Sequence, residues 1–386
     1  VTDKLFKILI LLPFMWSFTG LLLLRNGDKL MVVAIVVSII ATLLNYGIDS
    51  IKQNIHDKGL WLVLTVTGYA VFSYYYHGAS SREMRTLLGT TLLLLTFPRE
   101  LINARILKWL TVLGSIIVFL STYYFSIVLH LPRGHWPINA VPHGTMGATI
   151  IVLVLVFLIN ANNYRDRIIL AFALLMSVSG LVMNPTRGVW LALIIAVVII
   201  LISKLKTKKI NWKDTLMALV ILSLGIYTVK PKLEQRIINK SQAEIKLIQA
   251  GSLNSSAGIR LQLWMAAPKI ISEGLILGSG ENHQLLLKNL AVQGFITKKV
   301  TRFSHYHNQY LDRLVKGGLM GLILLFAVFT YPLFFTSTGI NRQIAIAVVT
   351  VYAVAGLTDV PLNHGAPLFM YLLLMFTLQK SNEASC

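Results

Sequence analysis

The chain has 386 residues, 55% of them hydrophobic and only 13% charged, which is too apolar for a soluble protein of this size. Its one cysteine, Cys386, excludes an internal disulfide framework and any cysteine-held zinc site. The net charge of +20 must lie in the loops of a polytopic membrane protein, where a positive-inside bias and attraction to anionic lipid account for most of it.

Apolar runs long enough to cross a bilayer fall at 5–24, 30–48, 60–76, 86–98, 107–129, 145–160, 167–183, 189–203, 214–229, 317–335, 343–358 and 365–379. They predict an all-α fold of about twelve transmembrane helices. The first run, Phe6–Leu24, lacks a small-residue cleavage site and reads as a span rather than a signal peptide. With the N-terminus inside, sixteen Lys/Arg fall in cytoplasmic segments and six in the short outer loops. That asymmetry puts both termini in the cytoplasm and the one long hydrophilic segment, 230–316, outside.

The expected organisation is therefore helices one to nine over 1–229, a loop domain over 230–316 between the ninth and tenth helices, and the last three helices with a cytoplasmic C-terminus over 317–386. The loop domain carries thirteen basic against five acidic residues. Topology predicts the opposite for an outer loop, so an anionic partner is the simplest account. Its pattern reads as helices near 232–250, 259–272 and 282–293, separated by turns at 251–258 and 274–280: a small folded cap.

Taken along the chain, the first candidate for chemistry is Arg187 in Asn184-Pro-Thr-Arg-Gly-Val-Trp190, a short outer loop where Pro185 ends one helix and Thr186 or Asn184 can cap the next. The second is Arg260, which opens Ile259-Arg-Leu-Gln-Leu-Trp264. Each has a bland reading, a snorkelling interfacial arginine and a solvated helix face. The functional reading is a pair of guanidinium forks on a phosphate or pyrophosphate. Gly278-Ser-Gly280 reads as an ordinary turn rather than a phosphate cradle.

The segment Arg302-Phe-Ser-His-Tyr-His-Asn-Gln-Tyr310 runs straight into an apolar stretch. On a continuous helix His307, Leu311, Leu314, Gly318 and Gly321 would share one stripe, with His305 pointing elsewhere. His307 is either a polar cap or a general base, its pKa depressed by nearby arginines. Arg302, His305, Asn308 and Tyr310 are candidates for substrate contact. Asp359 and His364, at an outer helix end, read as structural hydrogen-bonding groups.

No Asp-x-Asp, Walker loop or His-Glu-x-x-His is present, so sugar-nucleotide transfer, ATP hydrolysis and zinc peptidase chemistry lose their usual signals. His307-Asn308, followed after nine intervening residues by Gly318-Leu-Met-Gly321, resembles the His-Asn/Ser/Gln-x9-Gly-x-x-Gly motif of the O-antigen ligase family. Arg187 in Thr-Arg-Gly-Val-Trp and Arg260 in Gly-Ile-Arg-Leu-Gln-Leu-Trp are similar to that family's two essential arginines, although Trp264 stands where the motif commonly has leucine. The resemblance implies a membrane glycosyltransferase of the bacterial inner membrane with a periplasmic active site. It would move a polysaccharide from undecaprenyl pyrophosphate to a lipid A-core sugar, with inversion and without metal, cofactor or nucleic acid. Arg187 and Arg260 would stabilise the pyrophosphate and His307 would act as base. An O-antigen polymerase or a protein O-oligosaccharyltransferase uses the same donor, and a lipid-linked sugar flippase would instead place ionisable residues at mid-bilayer depth.

Overall fold

The computed structural model describes residues 2–184, 186–206, 240–336 and 338–378, together with 216, 220, 223 and 227. Its elements are α1 (Thr2–Ser17), α2 (Gly20–Leu23), α3 (Gly27–Tyr46), α4 (Asp49–Asn54), α5 (Lys58–His77), α6 (Ser81–Thr96), α7 (Ala104–Tyr123), α8 (Ala140–Ile159), α9 (Tyr164–Met183), α10 (Arg187–Lys206), α11 (Lys240–Gln249), α12 (Ser256–Ile271), α13 (His283–Val292), α14 (Gln309–Phe335), α15 (Ile340–Ala355) and α16 (Gly365–Thr377), joined by short 3-10 and π turns. No β-strand occurs among the described residues.

The protein is an all-α polytopic membrane protein. Among the described residues six helices are long and apolar enough to cross a membrane, and Arg187–Ser203, Ile340–Ala355 and Gly365–Thr377 are shorter apolar helices. The expected span at 214–229 lies outside the described residues except for four positions. Exposed Val33, Ile40 and Leu44 on α3 suit a hydrocarbon solvent, whereas α8 is the inner helix, 94% buried over its apolar window.

Local sequence sets several helix starts. Asp57 accepts the N–H groups of Gly59 and Leu60, Ser80 that of Glu83, Asn103 that of Ile106 and Asn163 that of Asp166, which satisfies donors that a helix N-terminus leaves unpaired. At α10 the expected cap is different. The Asn184 amide donates to the Ala140 carbonyl at 2.7 Å and the Thr186 hydroxyl turns back to the Asn184 carbonyl at 3.4 Å.

The cap helices α12 and α13 enclose their own apolar core, with Leu263, Ala266, Ile270, Leu287, Val300 and Tyr306 packed on Val315 of α14. Two corrections to the expected geometry follow. First, α14 begins at Gln309, and His307 lies before it in the left-handed region (φ 49°). Asn308 is the N-cap, its Oδ1 accepting from Tyr310 and Leu311 at 3.0 Å each, so the histidine stands off the helix stripe.

Second, the glycines do not form a smooth packing stripe. Gly318 has φ 59° and ψ −162°, breaking α14. The turn 274–280 fills the break: Leu319 and Met320 donate to the carbonyls of Leu275 (2.9 Å) and Ile276 (3.2 Å), and Ser279 donates to that of Val315 (2.8 Å). The Tyr69 hydroxyl ties both pieces together, 2.6 Å from the Gly317 carbonyl and 3.2 Å from that of Leu277. Irregular backbone at such a place must be paired within the protein, and here it is.

Candidate functional site

Arg187 is the first residue of α10, and Gly188 beside it touches Thr358, where an added Cβ would meet the threonine hydroxyl. This close approach brings the start of α10 against the turn after α15 that carries Asp359. Arg260 lies in the first turn of α12, whose N-cap Ser255 accepts from Gly258 at 3.0 Å. From there Arg260 feels the charge of Asp359 on the same turn.

Asp359 is buried, with its Oδ1 accepting the Val360 N–H at 2.9 Å. That oxygen is 3.6 Å from Nε2 of His305 and 3.7 Å from Nδ1 of His307. The two imidazoles meet edge to face with centroids 4.3 Å apart. His305 therefore does not point elsewhere, because residues 303–308 are irregular and helical spacing does not apply. Asp359, expected to be only structural, is the hub of the cluster.

The arginines complete it. Arg187 Nη2 is 3.8 Å from Oε2 of buried Glu244 on α11. Burial pushes the Arg260 guanidinium below its ordinary pKa, Asp359 and Glu244 draw it back up, and Arg187 acts downward. Its Nε is buried without a hydrogen-bond partner, as is Oε1 of Glu244. A guanidinium so placed has hydrogen-bonding capacity left for an anion.

Burial lowers His305 to about 4, helped by the neighbouring His307 and opposed by Asp359 and Asp312. Desolvation thus keeps this imidazole neutral at pH 7. His364, also in the surroundings, is lowered chiefly by burial. For Asp359, burial acts upward, but contact with His307 and the fields of His305 and His364 outweigh it and hold the carboxyl below its usual range.

The other candidates divide. Asn308 spends its side chain on the helix start and on the Leu357 carbonyl (3.4 Å), which makes it a positioning group. Tyr310 donates to the Ala353 carbonyl at 2.8 Å and stacks on Phe326, so it belongs to helix packing. Arg302 is exposed on a 3-10 turn of the cap. Gly278 and Gly280 serve the turn that fills the α14 break, as expected for a turn. The ligand atoms of His305, His307 and Asp359 lie within 4.8 Å of one another, close enough to hold a divalent ion, but the same carboxylate already has a cationic neighbour in Arg260.

The sequence reading missed Glu244 as a partner of Arg187, and it missed Trp264 as a tether. Trp264 Nε1 donates to the Tyr306 carbonyl at 2.9 Å, between the two histidines. The i, i+4 spacing from Arg260 was the available signal, since it places both on one helix face.

Fold and site define a polytopic α-helical membrane protein in which a cap holds basic and histidine side chains around one carboxylate at one end of the bundle. Residues 171–326 match the family model described as O-antigen ligase. The match contains both arginines and both histidines; Asp359 lies beyond it. An uncharacterized protein of Haemophilus influenzae is 26% identical over 224 residues, 57% of this chain and 54% of that protein. The chain thus spans about half the length of this curated relative.

Proposed function

We propose that this protein is an O-antigen ligase acting at the periplasmic face of the bacterial inner membrane. It would transfer a polysaccharide from undecaprenyl pyrophosphate to a lipid A-core sugar hydroxyl. The observation that carries this reading is the gathering of His305, His307 and Arg260 around Asp359, with Arg187, paired to Glu244, beside Arg260. Asp359 faces Nδ1 of His307, which favours the Nδ1–H tautomer and leaves the Nε2 lone pair as the base. The acceptor hydroxyl gives its proton to Nε2 as its oxygen attacks the anomeric carbon. The bond from that carbon to the pyrophosphate oxygen breaks, and the pyrophosphate leaves with the electron pair, so a single displacement inverts the centre. Arg187 and Arg260 stabilise the charge that develops on the leaving group. No metal or cofactor is needed for these steps, and the cap keeps water, a competing acceptor, away.

Purified protein supplied with lipid-linked donor and lipid A-core acceptor tests this reading. His307→Ala should abolish product, and in cells full-length polymer should accumulate on the lipid carrier. Near-normal turnover by His307→Ala would move the base to His305. If His307→Ala cells still place a single repeat unit on the core, polymerase is the better reading, and if the purified protein forms no glycosidic bond, a transporter is.

A further inference from the structure

A cavity opens between α5, α6, α14 and α16, with about 910 Å3 of space counting its open mouth. It has two ends. Ser73, Ser80, Glu83, Glu281, Asp312 and Asn363 gather at the end nearest the cap, together with Arg313 and Lys316, whereas Leu87, Leu324, Leu325, Val328, Leu368 and Leu372 line the deeper part. The break at Gly318 and the missing side chains of Gly317 and Gly321, both facing the Tyr69 ring, keep the space open. A polar end joined to an apolar end within a helix bundle is the shape of a site for an amphiphile.

The charges select its head group. Arg313 is held by Glu83 at 2.6 Å, and Lys316 by Asp312 at 3.3 Å and the Ser304 carbonyl at 2.6 Å. Both cations are thus already neutralised. Counted over the lining, three carboxylates face two cations, and Glu281 stands exposed at the mouth. A phosphate head would meet net repulsion and two occupied cations. Hydroxyl groups, by contrast, can donate to carboxylate oxygens, which act only as acceptors. This is the reverse of the first site, where Arg260 keeps an unpartnered Nε.

We propose that this cavity binds a glycolipid through an uncharged, hydroxyl-rich sugar head at the Glu83–Glu281 end and a hydrocarbon tail along Leu325, Val328 and Leu372. The head end adjoins the histidine segment, because Asp312 accepts the Tyr306 N–H at 3.1 Å. The inference does not rest on the transfer reaction proposed above, since binding is read without turnover.

The test uses two diazirine-tailed probes, an alkyl glucoside and an alkyl phosphate of equal chain length, photolysed with the whole protein in nanodiscs and mapped by peptide mass spectrometry. The glucoside should label α5 around 66–73 and α14 around 321–328, at least tenfold more than the phosphate does. Leu325→Trp, which fills the deep part, should reduce that labelling about tenfold, and Ala70→Phe, on another helix, should do the same if the first variant folds poorly. Exposed Glu281→Lys should shift preference toward the phosphate probe. Equal labelling by both probes in the unsubstituted protein, or glucoside labelling that survives both filling substitutions in folded protein, would overturn the proposal.

Discussion

Trp264 on α12 donates its indole N–H to the carbonyl of Tyr306 at 2.9 Å, so the helix that carries Arg260 also holds the backbone between His305 and His307. One side chain thereby ties Arg260's helix to the segment that carries the two histidines. Trp264→Phe keeps much of the ring and removes the donor. A neutral hydrogen bond contributes about 1 kcal/mol, roughly a fivefold effect on rate if it acts only through geometry. The expected result is kcat reduced about fivefold with KM for the lipid-linked donor nearly unchanged. An equal fall in thermal stability and in donor affinity would mark Trp264 as merely structural.

Arg260 should not be replaceable by lysine. Its guanidinium is part-buried in the field of Asp359, Glu244 and Arg187, with Nε unpartnered, and a planar fork can offer parallel donors to a pyrophosphate where an ammonium cannot. Arg260→Lys is expected to lower donor affinity at least tenfold, read by titrating a fluorescent polyprenyl pyrophosphate. Affinity within twofold of the unsubstituted protein would assign Arg260 to packing alone.

The cap should loosen in acid. Burial depresses both His283 and His305 to about 4, with Lys316 acting further on His283 and His307 on His305. An unfolded histidine titrates near 6.5, so between about pH 6.5 and 4 the unfolded cap binds more protons than the folded one. Stability from these two groups is complete above the upper value and is lost as pH falls through the window. Hydrogen exchange over 283–308, corrected for intrinsic rates, should accelerate from pH 7 to pH 5, and less so in His283→Gln. Protection unchanged across that range would contradict the assignment.

Much of the fold was legible because a membrane helix announces itself locally. The runs at 145–160 and 167–183 match α8 and α9, and the caps Asp57, Asn103 and Asn163 precede their helices as polar residues before apolar ones. The errors arose where a distant segment overrides local pattern. Helical spacing from His307 to Gly321 looks continuous until Asn308 captures the N–H groups of 310 and 311, which starts the helix after the histidine. The break at Gly318 exists because carbonyls some forty residues earlier accept from Leu319 and Met320. Asp359 looked structural because nothing near it in sequence shows two histidines arriving from the cap. Arg187 and Arg260 were legible as candidates, but their common carboxylate surroundings were not.

Gly318 supplies the sharpest test of the broken helix. Its φ of 59° lies where a Cβ is strained, and an added Cβ would run into the Ile276 carbonyl and the Gly278 backbone. Gly318→Ala therefore faces conformational strain of about 1 to 3 kcal/mol and a clash with backbone that cannot move without releasing Leu319 from the Leu275 carbonyl. If α14 were a continuous helix, the same substitution would instead stabilise it by about 1 kcal/mol through alanine's better helix propensity. The two structures thus predict opposite signs. The expected result is a lower midpoint of thermal unfolding in detergent, with faster hydrogen exchange at 274–280 and 315–320. A raised midpoint would mean that the turn 274–280 does not fill a break in α14.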